Sequence, residues 1–508
     1  MITGSHIKGQ TCVTFSRFIF THIPINNMPR SSTPPSSRDT SNGSVLSKTT
    51  PLRRNINGIQ AHSSYPRPKA SERYLEMTHD ACKKFVGPMP VVQFLSEFIP
   101  EAFEERPTNN ITFSHTSVSE NEDTFVNLPL HSRSYLCSTM LQIRAIEESG
   151  LCPELKFINT TRRPDGPHGL KPDISIYSSD ISAAHGRRRP LDWKTVDLWI
   201  ENQNNNTDIF RVLAEVETRE ESDGNSESHV KGADYAQRIC GQLVAYASEL
   251  HRSQFRVFSF AVVLFGNTGR LLRWDRSGVI YTEPFNWAHE PDTLFEFFWR
   301  LNFLSDVERG YDTTVTSVDD DEAKTALSKL RKYKGLEHVQ RADLFKIYVH
   351  DDRARDGQPR SYITPGPVWL TDALFGRCTF GYIAYDVAGS RLVYLKDFWR
   401  TDLPDIQKEG DVYRELHDAQ VPNVPMLGPA GDVSFSLGHE NIGFSTQRTR
   451  TQDYVKGSGL GHEWCPGRPR VDPLVHYRLV LETLGQPLNT FKSTRQLCEV
   501  IRDAIIGA

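Results

Sequence analysis

The sequence predicts an α+β multidomain protein, with a mixed α/β domain over residues 71–315 and a β-rich domain over 341–508. Three observations carry this. Residues 1–70 are poor in apolar side chains and rich in Ser, Pro, Thr and Arg. They cannot bury enough surface to offset the entropy of ordering, and read as a disordered tail. From residue 71, apolar runs of period two alternate with runs of helical period. Beyond residue 340, short β-like runs punctuated by glycine lead into a helical segment.

The elements follow in order. Val91, Phe94, Leu95 and Phe98 share a helical face that ends at Pro100. Residues 134–149 place Leu136, Met140, Ile143 and Ile146 on one face of a second helix. Asp173-Ile174-Ser175-Ile176-Tyr177 alternates as a strand does, and Val196–Glu201 and Phe210–Val216 are further strand candidates. Residues 219–231, charged and small, read as a loop. Ala236, Ile239, Cys240, Leu243, Val244, Ala247 and Leu250 recur at the spacing of an amphipathic helix. Phe255–Phe265 is apolar enough for a buried strand. Leu271–Trp274 and Val279–Thr282 form a hairpin around Asp275–Gly278. Leu294, Phe295, Phe297, Phe298 and Leu301 give an aromatic helix face. Asp319-Asp320-Asp321-Glu322 opens a charged linker, 316–340, and such a run reads as a solvated helix start or a linker. The last domain carries a Gly/Pro-rich stretch at 428–473 that reads as a flexible insertion.

Bulk properties narrow the classes. A net charge of −4 over 508 residues argues against a protein that coats nucleic acid. No apolar run approaches the ~18 residues of a membrane span. The eight cysteines are scattered without a C-x-x-C pair, which points to reduced thiols in the cytoplasm or nucleus. Arg187-Arg188-Arg189 lacks interleaved aromatics and reads as a solvated loop.

One constellation carries chemistry. Gly376-Arg377-Cys378-Thr379-Phe380-Gly381-Tyr382-Ile383 has the rhythm of a glycine-rich phosphate loop, with Cys378 at the middle glycine. A β-like run from Arg391 delivers Lys396, and Glu409 follows in a helical segment with Glu415 as its alternative. Phosphoryl transfer asks for these groups. Tight glycine turns bring backbone N–H groups to phosphates, a strand lysine neutralises them, and a helix carboxylate holds the lysine. Ile383 then covers the base, and the backbone near Glu482 and Leu484 meets its edge. The bland reading of the same residues is an ordinary hairpin with an exposed lysine. The H-R-D-x-x-x-x-N and D-F-G segments that supply the base and the metal ligands have no counterpart. Arg502-Asp503 lacks the histidine, and Asp397-Phe398-Trp399 abuts the lysine and lacks the glycine. No catalytic residue is therefore assigned.

The wording of residues 170–508 resembles the fungal-type protein kinases. Lys171-Pro172-Asp173, Gly241-Gln242-Leu243-Val244-Ala245-Tyr246-Ala247 and Arg270-Leu271-Leu272-Arg273-Trp274-Asp275-Arg276-Ser277-Gly278 carry the resemblance. Trp299-Arg300-Leu301, Arg309-Gly310-Tyr311-Asp312 and Leu395-Lys396-Asp397-Phe398-Trp399-Arg400 continue it. The resemblance implies a kinase-like domain of N-lobe, hinge and start of C-lobe, cut before the catalytic loop. It also implies ATP with Mg²⁺ as cofactor, weakly held or lost here, and Ser/Thr hydroxyls of a protein as substrate. Lys396, Gly376 and Gly381 carry over to the phosphate site.

A second chemistry sits upstream. Pro172-Asp173, Glu201-Asn202-Gln203, Gln242 and Tyr246 resemble the restriction-endonuclease-like core, P-D…(D/E)-x-K…Q-x-x-x-Y. There two strand carboxylates hold a divalent metal. Asp173 and Glu201 are the candidate metal pair, with Gln203 where the lysine belongs. The alternative to a kinase is thus a non-catalytic, pseudokinase-like binding module attached to a degenerate nuclease-like domain.

Overall fold

The computed structural model describes residues 70–81, 83–102, 106, 139, 142–179, 191–203, 208–212, 227–354, 357–371, 373–436, 444–455, 465, 469–486 and 488–506. Residues 1–69 of the expected tail (1–70) and the Arg187-Arg188-Arg189 loop lie outside them, and Ala70 begins the first helix.

The first domain is built on one mixed sheet. Its strands are β1 (Phe85–Met89), β2 (Leu155–Asn159), β3 (Ile174–Ser178), β4 (Leu198–Gln203), β5 (Phe258–Phe265), β6 (Thr268–Asp275), β7 (Val279–Thr282) and β8 (Phe285–Asn286). They lie in the order β1-β7-β6-β5-β4-β3-β2, with β8 beside β6. β2, β3 and β4 form an antiparallel meander. A 27-residue helix then carries the chain across so that β5 runs parallel to β4.

Apolar side chains leave both faces of β3, β4 and β5, so both faces are covered. Against one face lie α1 (Ala70–Ala81) and α3 (Glu227–Ser253), over Tyr177, Trp199, Val263 and Trp274. Against the other lie α2 (Val91–Phe98), a helix over 142–148, and α4 (Asp292–Phe303), over Ile176, Ile200, Val262 and Leu271. The strand expected at 210–216 is a helical turn over 209–212, and 213–216 lie outside the described residues. There Phe210 stacks on Tyr281 at 4.8 Å, burying an apolar side chain without a ladder. α3 begins at Glu227, inside the expected loop.

The second domain is another twisted sheet. Its strands are β9 (Val315–Thr316), β10 (Phe345–Val349), β11 (Arg360–Thr364), β12 (Pro367–Leu370), β13 (Phe380–Asp386), β14 (Arg391–Thr401), β15 (Leu427–Asp432) and, after the small β16–β17 hairpin (Ser434–Ser436, Phe444–Thr446), β18 (Leu474–Leu481). The order is β15-β18-β14-β13-β11-β10-β9, with β12 beside β13, all antiparallel. The stretch expected as a flexible insertion thus contributes β15 to this sheet.

The segment expected as a linker holds α5 (Asp320–Leu330). Asp319 caps it, accepting from the Glu322 N–H at 2.8 Å, and Asp320, Asp321 and Glu322 occupy its first turn where the helix dipole favours them. Ala323, Ala326 and Leu330 are buried against Ile363, Ile383, Tyr385 and Tyr394. α6 (Glu409–Asp418) and α7 (Thr494–Ile506) complete the domain. The spacing of Leu497, Val500, Ile501, Ala504 and Ile505 predicts a core-facing helix here, but in α7 only Val500 is buried, and Ile501 and Ile505 are exposed.

The two domains dock around the β6–β7 turn. Asp275 Oδ2 accepts the N–H groups of Arg450 and Thr451 (2.9 and 3.1 Å), and the Arg276 carbonyl accepts the Gly376 N–H (2.8 Å). Ser277 Oγ donates to the Asp472 carbonyl (2.7 Å), while Leu374 and Phe375 enter the first domain's core.

Candidate functional site

Strand register decides which residues of the second sheet share a face. Lys396 lies opposite Gly381 on β13 and Leu479 on β18, and Tyr394 lies opposite Ile383 and Leu481. Lys396, Tyr394, Phe398, Ile383, Leu479 and Leu481 therefore line one face. Lys396 is 7% exposed, which removes the reading of an exposed hairpin lysine. Its Nζ donates to both oxygens of Glu409, at 2.7 and 2.8 Å, and sits 4.9 Å from the centre of the Phe398 ring.

A glycine at the second position of α6 makes this pairing reachable. A Cβ on Gly410 would lie 2.5 Å from Tyr477 Oη and 2.7 Å from the Ala430 Cβ. With none there, the first turn of α6 rests on the sheet, and the Gly410 N–H donates to Tyr477 Oη at 3.2 Å. Glu415, the alternative partner, accepts instead from Gln407 at 3.0 Å.

Arg377 is the functional residue that spacing alone did not single out. Its guanidinium donates to Glu409 and lies 4.2 Å from the Phe398 ring centre. One carboxylate thus serves two cations, and the cluster keeps one net positive charge. Burial is the largest influence on the Lys396 ammonium and lowers its pKa; Glu409 opposes that, and Arg377 adds to it.

The glycine loop spans the β12–β13 connection. Gly376 takes a left-handed conformation (φ +86°) that glycine adopts without cost. Its N–H is committed to Arg276. Cys378, at the middle-glycine position, holds φ +42°. It is buried with Trp399 and Leu474, and burial raises its thiol. Gly381 lies within β13, where a Cβ would sit 2.1 Å from Tyr394 Oη. Beyond β18, the Glu482 N–H donates to the Met426 carbonyl (2.8 Å), its carboxylate pairs with Arg391 (2.5 Å), and Leu484 packs at the rim of the Lys396 face.

Asp397 points to the opposite face. It accepts from His476 Nε2 (2.5 Å) and Arg478 Nε (2.7 Å), and Arg478 also reaches Thr314 Oγ1 (2.7 Å) and Asp312 Oδ2 (2.5 Å). The Asp-Phe-Trp sequence is accounted for by this buried network.

In the first domain, Glu201 on β4 and Asp173 at the head of β3 lie on the α3 face. Gln242 Nε2 donates to Glu201 Oε1 (2.6 Å) and reaches Tyr246 Oη (2.8 Å), which itself donates to the Lys171 carbonyl (2.9 Å). Asp173 Oδ2 accepts the Asn202 N–H (2.8 Å). Gln203 accepts from Tyr235 Oη (3.0 Å). Glu201 Oε2 is buried with no hydrogen-bond partner. Desolvation, then the charge of Asp173, hold the Glu201 carboxyl well above its ordinary pKa. Among the described residues no group of three or more His, Cys, Asp or Glu side chains gathers as a metal site. None of their helices is long and apolar enough to cross a membrane.

A lysine on a central strand, clamped by a glutamate at the start of a helix and following a glycine-bearing hairpin, is the arrangement of a protein-kinase-like N-lobe. The pattern described as fungal protein kinase matches residues 221–508, more than half of the 508-residue chain, and the chain belongs to that family. No curated protein and no solved structure matches it.

Proposed function

We propose that the Lys396 face holds the phosphates of ATP, with Mg²⁺, as the nucleotide-binding part of a family whose reaction is phosphoryl transfer to Ser or Thr hydroxyls of a protein. The observation that supports this most is the two-bond Lys396–Glu409 pair with Arg377 on the same carboxylate. A buried lysine held by a carboxylate next to a second cation is a seat for a polyanion. Lys396 neutralises phosphate oxygens, Glu409 fixes the ammonium, and Arg377, half exposed, adds charge from the loop. Gly376 gives the loop its left-handed turn, Gly381 leaves room for Tyr394, and Ile383 lines the same face. The backbone around Glu482 and Leu484 borders the base. Mg²⁺ would offset phosphate charge in the transfer step. With no H-R-D or D-F-G counterpart in the sequence, the reading is that these residues bind nucleotide and lack a base for transfer.

Titration with Mg-ATP, followed by thermal shift, tests the site. Ligand bound only to the folded state stabilises it by about 2.7 kcal/mol at a hundredfold excess over Kd. The expected result is a rise in melting temperature that disappears in Lys396→Ala. An equal rise in both proteins sinks the assignment.

The orphaned Glu201 Oε2 beside Asp173 favours a second reading for the first domain, a degenerate nuclease-like core. The α-β-β-β-α-β path through the 142–148 helix, β2, β3, β4, α3 and β5 supports it. Gln203 in place of a lysine leaves no cation for the attacked phosphate. Incubating DNA with the protein and Mn²⁺ is expected to give no cleavage. Cleavage lost in Asp173→Ala would make this domain an active enzyme.

A further inference from the structure

The Lys396 face is already occupied. α5 crosses it, and the chain after α5 turns back along it: Ala323, Ala326, Leu330, Leu336 and Val339 are buried in one cluster with Ile383, Tyr394 and Leu481. Of these, Ile383 is where the nucleotide reading puts the base, and Tyr394 and Leu481 lie opposite each other beside it on the same face. Tyr333 sits at the rim of the same cluster with Leu484, and its hydroxyl donates to the Gly485 carbonyl at 3.3 Å. It is a flat ring against an apolar sheet face, with a donor directed at the backbone just beyond β18. An adenine with its exocyclic amino group would present the same chemistry to the same place.

We infer that residues 320–344 form a self-occluding latch in which Tyr333 stands in for the adenine of a bound nucleotide. The inference rests on the nucleotide reading of the Lys396 face and adds its regulation.

The fastenings suit a latch that opens. Arg331 closes the turn after α5 with two hydrogen bonds to the Val339 carbonyl, at 3.0 and 2.8 Å, so the segment keeps its own shape. The Asp320–Arg341 pair is exposed on both sides and contributes little. The Tyr333–Gly485 bond is long for an O–H donor. The Glu322–Lys346 pair joins the start of α5 to β10, away from Lys396, and can act as the pivot. The phosphate end of the face is left to Lys396, Arg377 and Glu409, so the latch competes with the base. Nucleotide affinity is then reduced by the fraction of molecules that are open.

Isothermal titration of the full chain with Mg-ATP tests this on wild type, Tyr333→Ala, Tyr333→Phe and the Tyr333→Ala/Lys396→Ala double variant. Circular dichroism verifies each fold. Tyr333→Ala is expected to bind at least tenfold more tightly than wild type, and Tyr333→Phe, which keeps the ring and loses only the donor, by a smaller factor. The double variant is expected to lose the gain. Saturating Mg-ATP should also speed amide exchange across 320–344 in wild type. Equal affinity in wild type and both Tyr333 variants, with no change in exchange, overturns the latch and leaves the nucleotide site standing. No binding by any folded variant overturns the nucleotide site, and the latch with it.

Discussion

A single buried carboxyl shows how far residue chemistry can be taken. Glu201 is held protonated-prone by desolvation and by Asp173. A carboxyl whose pKa is higher folded than unfolded favours the fold most below its ordinary value, and loses that contribution as pH rises toward the folded value. Glu201→Gln removes the group that charges. It is therefore expected to raise the melting temperature at pH 8 and leave it unchanged at pH 4. An unchanged melting temperature at both pH values would contradict the stated origin of the shift. The Lys396–Glu409 juxtaposition was readable because both residues sit on local elements whose order is diagnostic: strand, then helix. Arg377 and Tyr333 were not. Their partners, Glu409 and Gly485, are 32 and 152 residues away, and no periodicity reports such a contact.

At the scale of elements, α6 depends on a residue that lowers helix propensity. Glycine in a helix interior costs about 1 kcal/mol relative to alanine, and read locally Gly410 weakens the segment. In the fold its missing Cβ lets the helix start touch Tyr477 and Ala430, and this brings Glu409 within reach of Lys396. Gly410→Ala is expected to destabilise the protein by about 1–3 kcal/mol through overpacking, despite alanine's better propensity, and to weaken the Mg-ATP response. Denaturant titration checks the sign; a stabilised variant would contradict the close approach. α5 makes the complementary point. Its acidic start was legible only as a solvated helix start or a linker, and its packing was not legible, because Ala323, Ala326 and Leu330 form a narrow stripe in a charged sequence. In the first domain β3 to β7 were legible from alternation or a continuous apolar run, whereas β1, β2 and β8 were not expected. Phe210 was misplaced because the short apolar run Ile209-Phe210-Arg211-Val212 fits a helical turn as well as a strand.

At the scale of the molecule, the Asp275–Gly278 turn is a docking point: it receives Gly376, Arg450, Thr451 and Asp472 from the second domain. A second junction is buried. Arg478, 0% exposed, joins Asp312 at the end of the first domain to Asp397 on β14. Removing it strands two carboxylates in the interior, so Arg478→Leu is expected to cost about 3–5 kcal/mol in denaturant unfolding. A loss under 1 kcal/mol would mean that water or rearrangement reaches this junction. The first domain thus meets the second at the glycine loop and on the sheet face opposite Lys396. Docking holds the glycine loop through the Arg276 carbonyl, and the 320–344 segment covers the Lys396 face.

The account turns on Lys396 and Glu409 as the seat of nucleotide phosphates. Mg-ATP titration of the Tyr333→Ala chain, in which the face is uncovered, is the most direct measurement, compared with the same chain carrying Lys396→Ala. Saturable binding that falls by tenfold or more when Lys396 is replaced is the predicted result. Binding of equal strength in the two proteins would contradict it.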